Sequence, residues 1–372
     1  MIKVGITGQS GFIGTHLYNY LGLQKETVIR IPFRDEYFAD NGRLEEFVRE
    51  CDVIVHLAAL NRHHDPDVIY DTNIKLVKKL IDTCEKTASK PHILFSSSTQ
   101  EERDNVFGRS KREGRELLTK WAEKNNALFT GMVIPNVFGP FGMPYYNSVV
   151  ATFSYQLSHN EEPRVDVDAQ IKLIYINDLV KTIYDTIQNK VSEKEFKVQH
   201  TNEIKVTQIL SILNNFRSLY FEKGEFPDLT DPFIRNLFNT FVCYSDIENH
   251  FPVKLNQKTD ERGSFIETIR MNSGGQVSFS TTKPGITRGN HFHTRKAERF
   301  AVIKGKALIQ LRRIGTDKVM NFELDGKEPA YVDMPIWYTH NITNVGNDEL
   351  YTIFWINEFF DPADPDTYFE KV

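Results

Sequence analysis

Through the first 185 or so residues, short apolar runs alternate with longer stretches in which hydrophobic positions recur at helical spacing. The runs are Val4-Gly5-Ile6-Thr7, Val28-Ile29-Arg30-Ile31, Val53-Ile54-Val55-His56-Leu57, His92-Ile93-Leu94-Phe95-Ser96 and Leu128 to Ile134. Between them, positions such as Ile74, Val77 and Ile81 keep the three-and-four spacing of one helix face. That alternation predicts an α/β domain, a parallel sheet doubly wound with crossover helices. From about 186 to 245 the pattern turns helical and aromatic-rich, with Leu210, Leu213, Phe216 and Leu219, which predicts an α-rich lobe closing the first domain. Beyond about 257 the pattern has period two, as in Gln276-Val277-Ser278-Phe279-Ser280 and Ala307-Leu308-Ile309-Gln310-Leu311, and predicts an antiparallel β-barrel. Asp246, Asn249, His250 and Pro252 interrupt the periodicity between the two, so the expected domains are 1–245 and 257–372.

Composition narrows the classes. With 372 residues, 40% hydrophobic and 26% charged, the chain reads as a soluble globular protein of two cores. A net charge of -5 and no basic cluster argue against nucleic acid as a partner. Cys51, Cys84 and Cys243 are odd in number and far apart, which fits reduced thiols and a cytoplasmic location. No leader-like segment precedes the first strand and no apolar stretch approaches the roughly 20 residues of a membrane span.

The first strand runs into Thr7-Gly8-Gln9-Ser10-Gly11-Phe12-Ile13-Gly14 and then into a helical pattern. Glycines 8, 11 and 14 suit a turn whose backbone amides approach a pyrophosphate at a helix N-terminus. The second strand ends about twenty residues on, where an enzyme selecting NAD places an acidic residue on the ribose. Here stand Arg30 and, close by, Arg34; a guanidinium suits a 2′-phosphate, so NADPH is the expected cofactor.

This glycine spacing resembles the extended short-chain dehydrogenase/reductases, a Rossmann-type family. His56-Leu57-Ala58-Ala59 is similar to that family's third-strand motif, which puts Leu57 and Ala58 beside the cofactor, and Asn73 matches its helix asparagine. Ser96-Ser97-Ser98 ends the strand that supplies its catalytic Ser/Thr, here Ser98, and Asn136 lies in a segment resembling its substrate-side loop. The resemblance implies a catalytic Tyr-x-x-x-Lys, in which tyrosine gives a proton to the carbonyl oxygen and lysine binds the ribose. This chain reads Phe107-Gly108-Arg109-Ser110-Lys111. Lys111 is present and the phenol is absent. Three readings stay open: another proton donor such as Ser98, Thr99 or water, a decayed reductase, or a Tyr-to-Phe variant.

In the last third, Gly285-x5-His291-x-His293-x4-Glu298-x6-Gly305 resembles the first cupin motif, and Pro335-x-Trp337-x2-His340-x3-Asn344 most of the second, with Trp337 where glycine is usual. His291, His293, Glu298 and His340 form a three-nitrogen, one-oxygen set that suits Zn²⁺, with Fe²⁺, Ni²⁺ or Mn²⁺ as alternatives. Arg288-Gly289-Asn290-His291 also resembles the deoxysugar 3,5-epimerases, where the histidine is a metal-free base; His293 and Glu298 have no role in that version. Tyr351, downstream of His340, is then an acid/base candidate.

Both halves together resemble the bifunctional CapF-type enzymes of capsular and O-antigen polysaccharide synthesis. Tyr146-Asn147-Ser148-Val149, Lys283 to His291 and the terminal Phe360-Asp361-Pro362 to Asp366-Thr367-Tyr368-Phe369 carry the likeness. It implies C3 epimerisation of UDP-2-acetamido-2,6-dideoxy-4-hexulose by the cupin, then reduction at C4 to UDP-2-acetamido-2,6-dideoxy-L-talose. It also implies Asn147 as a nucleotide-sugar contact and a homodimer formed through the cupin. A non-catalytic nucleotide-sugar binding protein and an iron cupin dioxygenase are the alternatives.

Overall fold

The computed structural model describes residues 1–372. All five expected apolar runs form strands, and those at the centre of the sheet are buried along nearly their whole length, as helices on both faces require. In chain order the elements are β1 (Ile2–Thr7), α1 (Phe12–Leu23), β2 (Val28–Ile31), α2 (Asn41–Glu50), β3 (Val53–His56), α3 (Pro66–Thr87), β4 (His92–Ser98), α4 (Val106–Asn125) and β5 (Phe129–Ile134). There follow β6 (Asn136–Phe138), α5 (Val149–Ser158), β7 (Gln170–Tyr175), α6 (Ile176–Gln188), β8 (Glu193–Lys197) and β9 (Asn202–Lys205). The six-stranded sheet has the order β2-β1-β3-β4-β5-β8, all parallel. Strand order reverses beside β1, and ligands of such sheets bind in the crevice opened there at the strands' carboxyl ends. A smaller sheet, β6-β7-β9, completes this unit, which comprises residues 1–138, 142–148 and 169–205.

The second unit comprises 139–141, 149–168 and 206–372. Its helices are α5, α7 (Val206–Phe216), which runs on through a π turn over Arg217–Glu222, then α8 (Pro232–Val242) and α9 (Ile247–His250); the short β10 (Glu225–Phe226) separates α7 from α8. Next come β11 (Val253–Lys254), β12 (Gln257–Asp260), β13 (Gly263–Ile266), β14 (Arg270–Met271), β15 (Gln276–Thr282), β16 (Thr287–Phe292) and β17 (Glu298–Lys304). The chain ends with β18 (Lys306–Arg313), β19 (Val319–Asp325), β20 (Ala330–Met334), β21 (Tyr338–Asn344), β22 (Leu350–Ile356) and β23 (Tyr368–Phe369). Two antiparallel five-stranded sheets, β11-β20-β17-β22-β15 and β19-β18-β21-β16-β23, enclose a core that includes Ala301, Val302, Ile309, Leu311, Phe322, Val332 and Leu350. No helix is long and apolar enough to cross a membrane.

The helices of the second unit are fastened to its strands by a buried charge. Arg299 on β17 is 1% exposed and grips Asp333 on β20 through two bonds, Nε to Oδ1 at 2.7 Å and Nη2 to Oδ2 at 2.8 Å. Its third donor, Nη1, reaches the Gly224 carbonyl at 2.8 Å, and the Tyr220 hydroxyl donates to Asp333 at 2.7 Å. The guanidinium lies 3.6 Å from the Tyr331 ring centroid and 4.6 Å from that of Phe226. Tyr220 and Gly224 belong to the helical segment, so the pair is satisfied only with those helices in place.

Removing one partner of a buried ion pair strands the other. Arg299→Met should therefore lower the unfolding free energy by about 3–5 kcal/mol, and Arg299→Met with Asp333→Leu should recover most of the loss. Denaturant unfolding reads both. A single-variant loss below about 1 kcal/mol contradicts the assignment.

Candidate active sites

At the carboxyl end of β1, Gly8 adopts a φ of +70°, and a Cβ there would sit 2.8 Å from the Ala58 backbone nitrogen. Only glycine admits both the turn and that approach. Leu57 and Ala58 back the loop through Leu57 N–H to the Thr7 carbonyl at 3.1 Å and Ala58 N–H to Thr7 Oγ1 at 3.4 Å. Gly11 caps α1 without a side-chain bond, and the first turn, including Phe12, Ile13 and Gly14, holds no acidic residue. The helix N-terminus therefore meets no carboxylate of its own first turn, which fits a dinucleotide pyrophosphate. Ser10 Oγ donates to Asp35 at 3.0 Å, and Phe33 N–H donates to the Gln9 side chain at 3.2 Å, tying the loop to the end of β2.

The two arginines differ. Arg30 turns back onto α1, donating to the Tyr18 carbonyl at 2.9 Å with its guanidinium 4.1 Å from the Tyr18 ring centroid. Arg34 stands exposed after the strand, next to Asp35. No spacing in the sequence marks Asp35 and Gln9, because their roles come from the fold of the loop.

At the end of β4, side chains alternate. Ser96 and Ser98 share one face, while Ser97 turns to the other and bonds the buried Glu101, itself paired with Arg115 at 2.7 Å. Ser98 caps the following turn, accepting from Gln100 N–H at 3.2 Å. Asn105 caps α4 by accepting from Gly108 N–H at 2.7 Å, and one helical turn apart on α4 stand Phe107 and Lys111. Lys111 is buried, with Nζ 3.4 Å from Ser96 Oγ, 4.9 Å from the Phe95 ring centroid and 5.7 Å from that of Phe107. Burial lowers its pKa to about 8, with Glu101 opposing the shift. Asn73 of α3 accepts from Leu60 N–H at 2.7 Å and donates to Ser110 Oγ at 3.0 Å, and Ser110 bonds the Phe107 carbonyl at 2.7 Å. The chain thus fixes the lysine and the ring at 107 firmly and offers no hydroxyl on that ring.

In the second unit, β16 and β21 bring His291 and His340 side by side in one sheet, and Glu298 arrives on β17 from the other. A register shift between Gly289 and His291 marks a bulge that re-aims the strand. Gly289 makes it possible: its φ is +95°, and a Cβ would lie 2.7 Å from the His340 carbonyl. One ligand atom from each of His291, His293, Glu298 and His340 lies within 4.8 Å of the others. Nε2 of His293 and Nε2 of His340 each stand 3.2 Å from Glu298 Oε2, yet none of these buried atoms makes an aligned hydrogen bond. Their other nitrogens face carbonyls, His293 Nδ1 that of Asp366 at 2.5 Å and His340 Nδ1 that of Tyr338 at 3.3 Å. Carbonyls only accept, so Nδ1 carries the proton and Nε2 turns a lone pair inward, which fits a cation held by three nitrogens and one oxygen. Burial, then the neighbouring His340 and His293, lowers the His291 pKa to about 4 and keeps it neutral.

Comparison with known proteins agrees with both halves. Residues 4–199 match the NAD dependent epimerase/dehydratase family, and residues 258–368 match the polysaccharide biosynthesis C-terminal domain. A Pseudomonas aeruginosa protein, UDP-2-acetamido-2,6-beta-L-arabino-hexul-4-ose reductase, is 33% identical over 369 residues, 99% of this chain and 98% of its own. The crystal structure of the capsular polysaccharide assembling protein CapF from Staphylococcus aureus shares 33% identity over the whole of both chains, with a TM-score of 0.63. The chain belongs to the CapF-type branch of the NAD-dependent epimerase/dehydratase family. RMD from Pseudomonas aeruginosa, solved with NADPH, shares the fold over 59% of this chain and 83% of its own, at 18% identity and a TM-score of 0.53.

Membership of the CapF-type branch makes this an NAD(P)-dependent enzyme with a nucleotide-sugar epimerase/reductase role. Other candidates lie apart from the two constellations. Tyr351 does not join the histidines: Glu298 pairs with Ile356 while Tyr351 pairs with Lys304, about 17 Å further along the strand. Its ring meets Phe279 and the Lys304 ammonium instead. Asn136 bonds the Lys172 carbonyl at 3.2 Å, and Asn147 accepts from Arg62 Nε at 2.7 Å. Trp337 takes the glycine position of the family motif with a φ of +62°, buried and stacked on Phe292 at 5.6 Å.

The low pKa of Lys111 gives a pH signature. Unfolded, the lysine stays charged to about 10.4; folded, it gives up its proton near 8. Folding releases a proton between those values, so stability grows with pH across that window, while below it the cost of burying the charge is full. Cofactor-free Lys111→Met should exceed the parent most below pH 8, by on the order of 3 kcal/mol, with the gap closing towards pH 10. Denaturant unfolding at several pH values checks this, and a pH-independent gap contradicts it.

Proposed function

We propose that the protein carries out two consecutive steps on UDP-2-acetamido-2,6-dideoxy-4-hexulose: cupin-catalysed epimerisation at C3, then reduction of the C4 ketone to UDP-2-acetamido-2,6-dideoxy-L-talose, towards UDP-N-acetyl-L-fucosamine. The observation that carries this reading is the convergence of three Nε2 or carboxylate atoms in a chain that matches a hexul-4-ose reductase from end to end. A 4-ketone acidifies the C3 proton, and reduction then removes the ketone and locks the new stereocentre, so epimerisation comes first.

When bound, NADPH supplies the hydride and a divalent ion, Zn²⁺ by its donor set, supplies a Lewis acid at the cupin. His291, His293, Glu298 and His340 hold that ion. The loop from Gly8 to Gly14 takes the pyrophosphate, Leu57 and Ala58 flank the dinucleotide, Lys111 takes the ribose, and Arg34, rather than the engaged Arg30, takes the 2′-phosphate. Ser98 hydrogen-bonds the ketone oxygen. Phe107 fills the proton donor's place without a proton, so the proton that completes the C4 hydroxyl would come from Ser98, Thr99 or water, and reduction would be slow. Asn136 and Asn147 contact the nucleotide sugar.

A second copy completes the assembly through the cupin. Val277 and Phe279 on the edge strand β15 are 55% and 56% exposed, and the β12–β13 hairpin joins no larger sheet. Buried, unpaired Cys51 and Cys84 suit a cytoplasmic setting.

Two outcomes follow. Phe107→Tyr should raise NADPH oxidation with the 4-keto sugar by roughly 10²-fold or more, with little change in NADPH affinity. If the Phe107 protein already turns over at ~1–10³ s⁻¹, another proton donor is at work. NADPH should bind at least about tenfold more tightly than NADH, and Arg34→Ala should erase the difference while Arg30→Ala leaves it. Equal affinities in the parent contradict the assignment.

A further inference from the structure

The cluster works as a metal centre only if His293 offers a lone pair at Nε2, and that depends on what holds Nδ1. The acceptor is the carbonyl of Asp366, far along the chain in the C-terminal segment. Asp366 is itself buried and has a φ of +42°, a left-handed conformation that aspartate tolerates better than most residues with a Cβ and that side-chain bonds help to hold. Its carboxylate does this: it accepts from Thr294 N–H at 3.1 Å, Thr294 Oγ1 at 2.6 Å, Arg295 N–H at 3.0 Å and Lys296 N–H at 3.2 Å. Lys296 Nζ adds a bond to the Pro365 carbonyl at 2.6 Å. Beyond Asp366, β23 pairs with β16, setting Phe369 opposite His291. One residue therefore binds a ligand through its backbone and the turn leading from that ligand towards Glu298 through its side chain.

We propose that Asp366 is a positioning residue of the metal centre, and that the C-terminal segment from 361 onward is the strap that carries it there. The inference rests on the metal reading of the cluster. Asp366 touches no metal; it fixes the protonated nitrogen and the ring orientation of His293, and it anchors the turn that sets the distance from His293 to Glu298.

The test uses the full chain and the metals alone. Zn²⁺ affinity is measured by competition with a chromophoric chelator, and the ligand field by the absorption of the Co²⁺-loaded protein. Asp366→Ala should weaken Zn²⁺ at least about tenfold, within the range typical of lost outer-shell partners, and alter the Co²⁺ spectrum. Asp366→Asn, which keeps one acceptor oxygen, should fall between the two and carries the test if the alanine variant does not fold. A purely structural role would lower the melting temperature of the metal-free protein and leave the Co²⁺ spectrum of the loaded variant unchanged. A smaller loss of affinity with an unchanged spectrum overturns the inference alone. A parent protein that takes up neither metal overturns the metal reading and the inference with it.

Discussion

Glu298 and Arg299, neighbours on one strand, send opposite charges to opposite faces of the same sheet, and both are buried. Strand alternation makes this unavoidable, and burial makes each charge demand its own compensation. On one face the carboxylate meets His293 and His340. On the other the guanidinium takes Asp333, the Gly224 carbonyl and two aromatic rings. A cation shared with histidines of the facing sheet would meet the first demand, and the second recruits the helical segment. Stability and chemistry of the second unit are thus set back to back across one strand.

The first unit solves a different problem with the same economy of groups. Its sheet delivers a glycine turn and a serine face, α4 brings a lysine to the serines, and the Asn73–Ser110 link locks the helix that carries residue 107. The contacts that fix residue 107 beside Lys111 are in place, and its ring carries no hydroxyl. The ring at 107 packs 5.7 Å from the lysine's Nζ, so in the proposed function cofactor binding and the rate of reduction would be separable properties.

What was legible in the sequence was what local spacing encodes. The parallel strands, the Gly8 loop, the Phe107–Lys111 pair and the cluster of His291, His293, Glu298 and His340 each follow from intervals of a few residues or from apolar runs buried on both faces. Asp366 was visible only as part of a family stretch, because its partnership with His293 spans most of the antiparallel domain and arises from strand register. Arg30 read as a cofactor contact because a strand-end position says nothing about rotamer, and Tyr18 captures it. Tyr351 followed His340 in sequence, yet the pairing of β22 with β17 carries it towards the other end of the sheet. The glycine expected at Trp337 reflects a backbone demand, and the φ of +62° shows that the demand persists with a side chain attached.

In the proposed function the antiparallel domain performs C3 chemistry by itself, before and without reduction. Incubating the zinc-loaded full-length protein with the UDP-4-keto sugar in D₂O, with no nicotinamide cofactor added, and following the sugar by NMR tests it directly. Deuterium should enter at C3 while the C4 ketone persists. A C3 proton that stays in place until NADPH is supplied contradicts it.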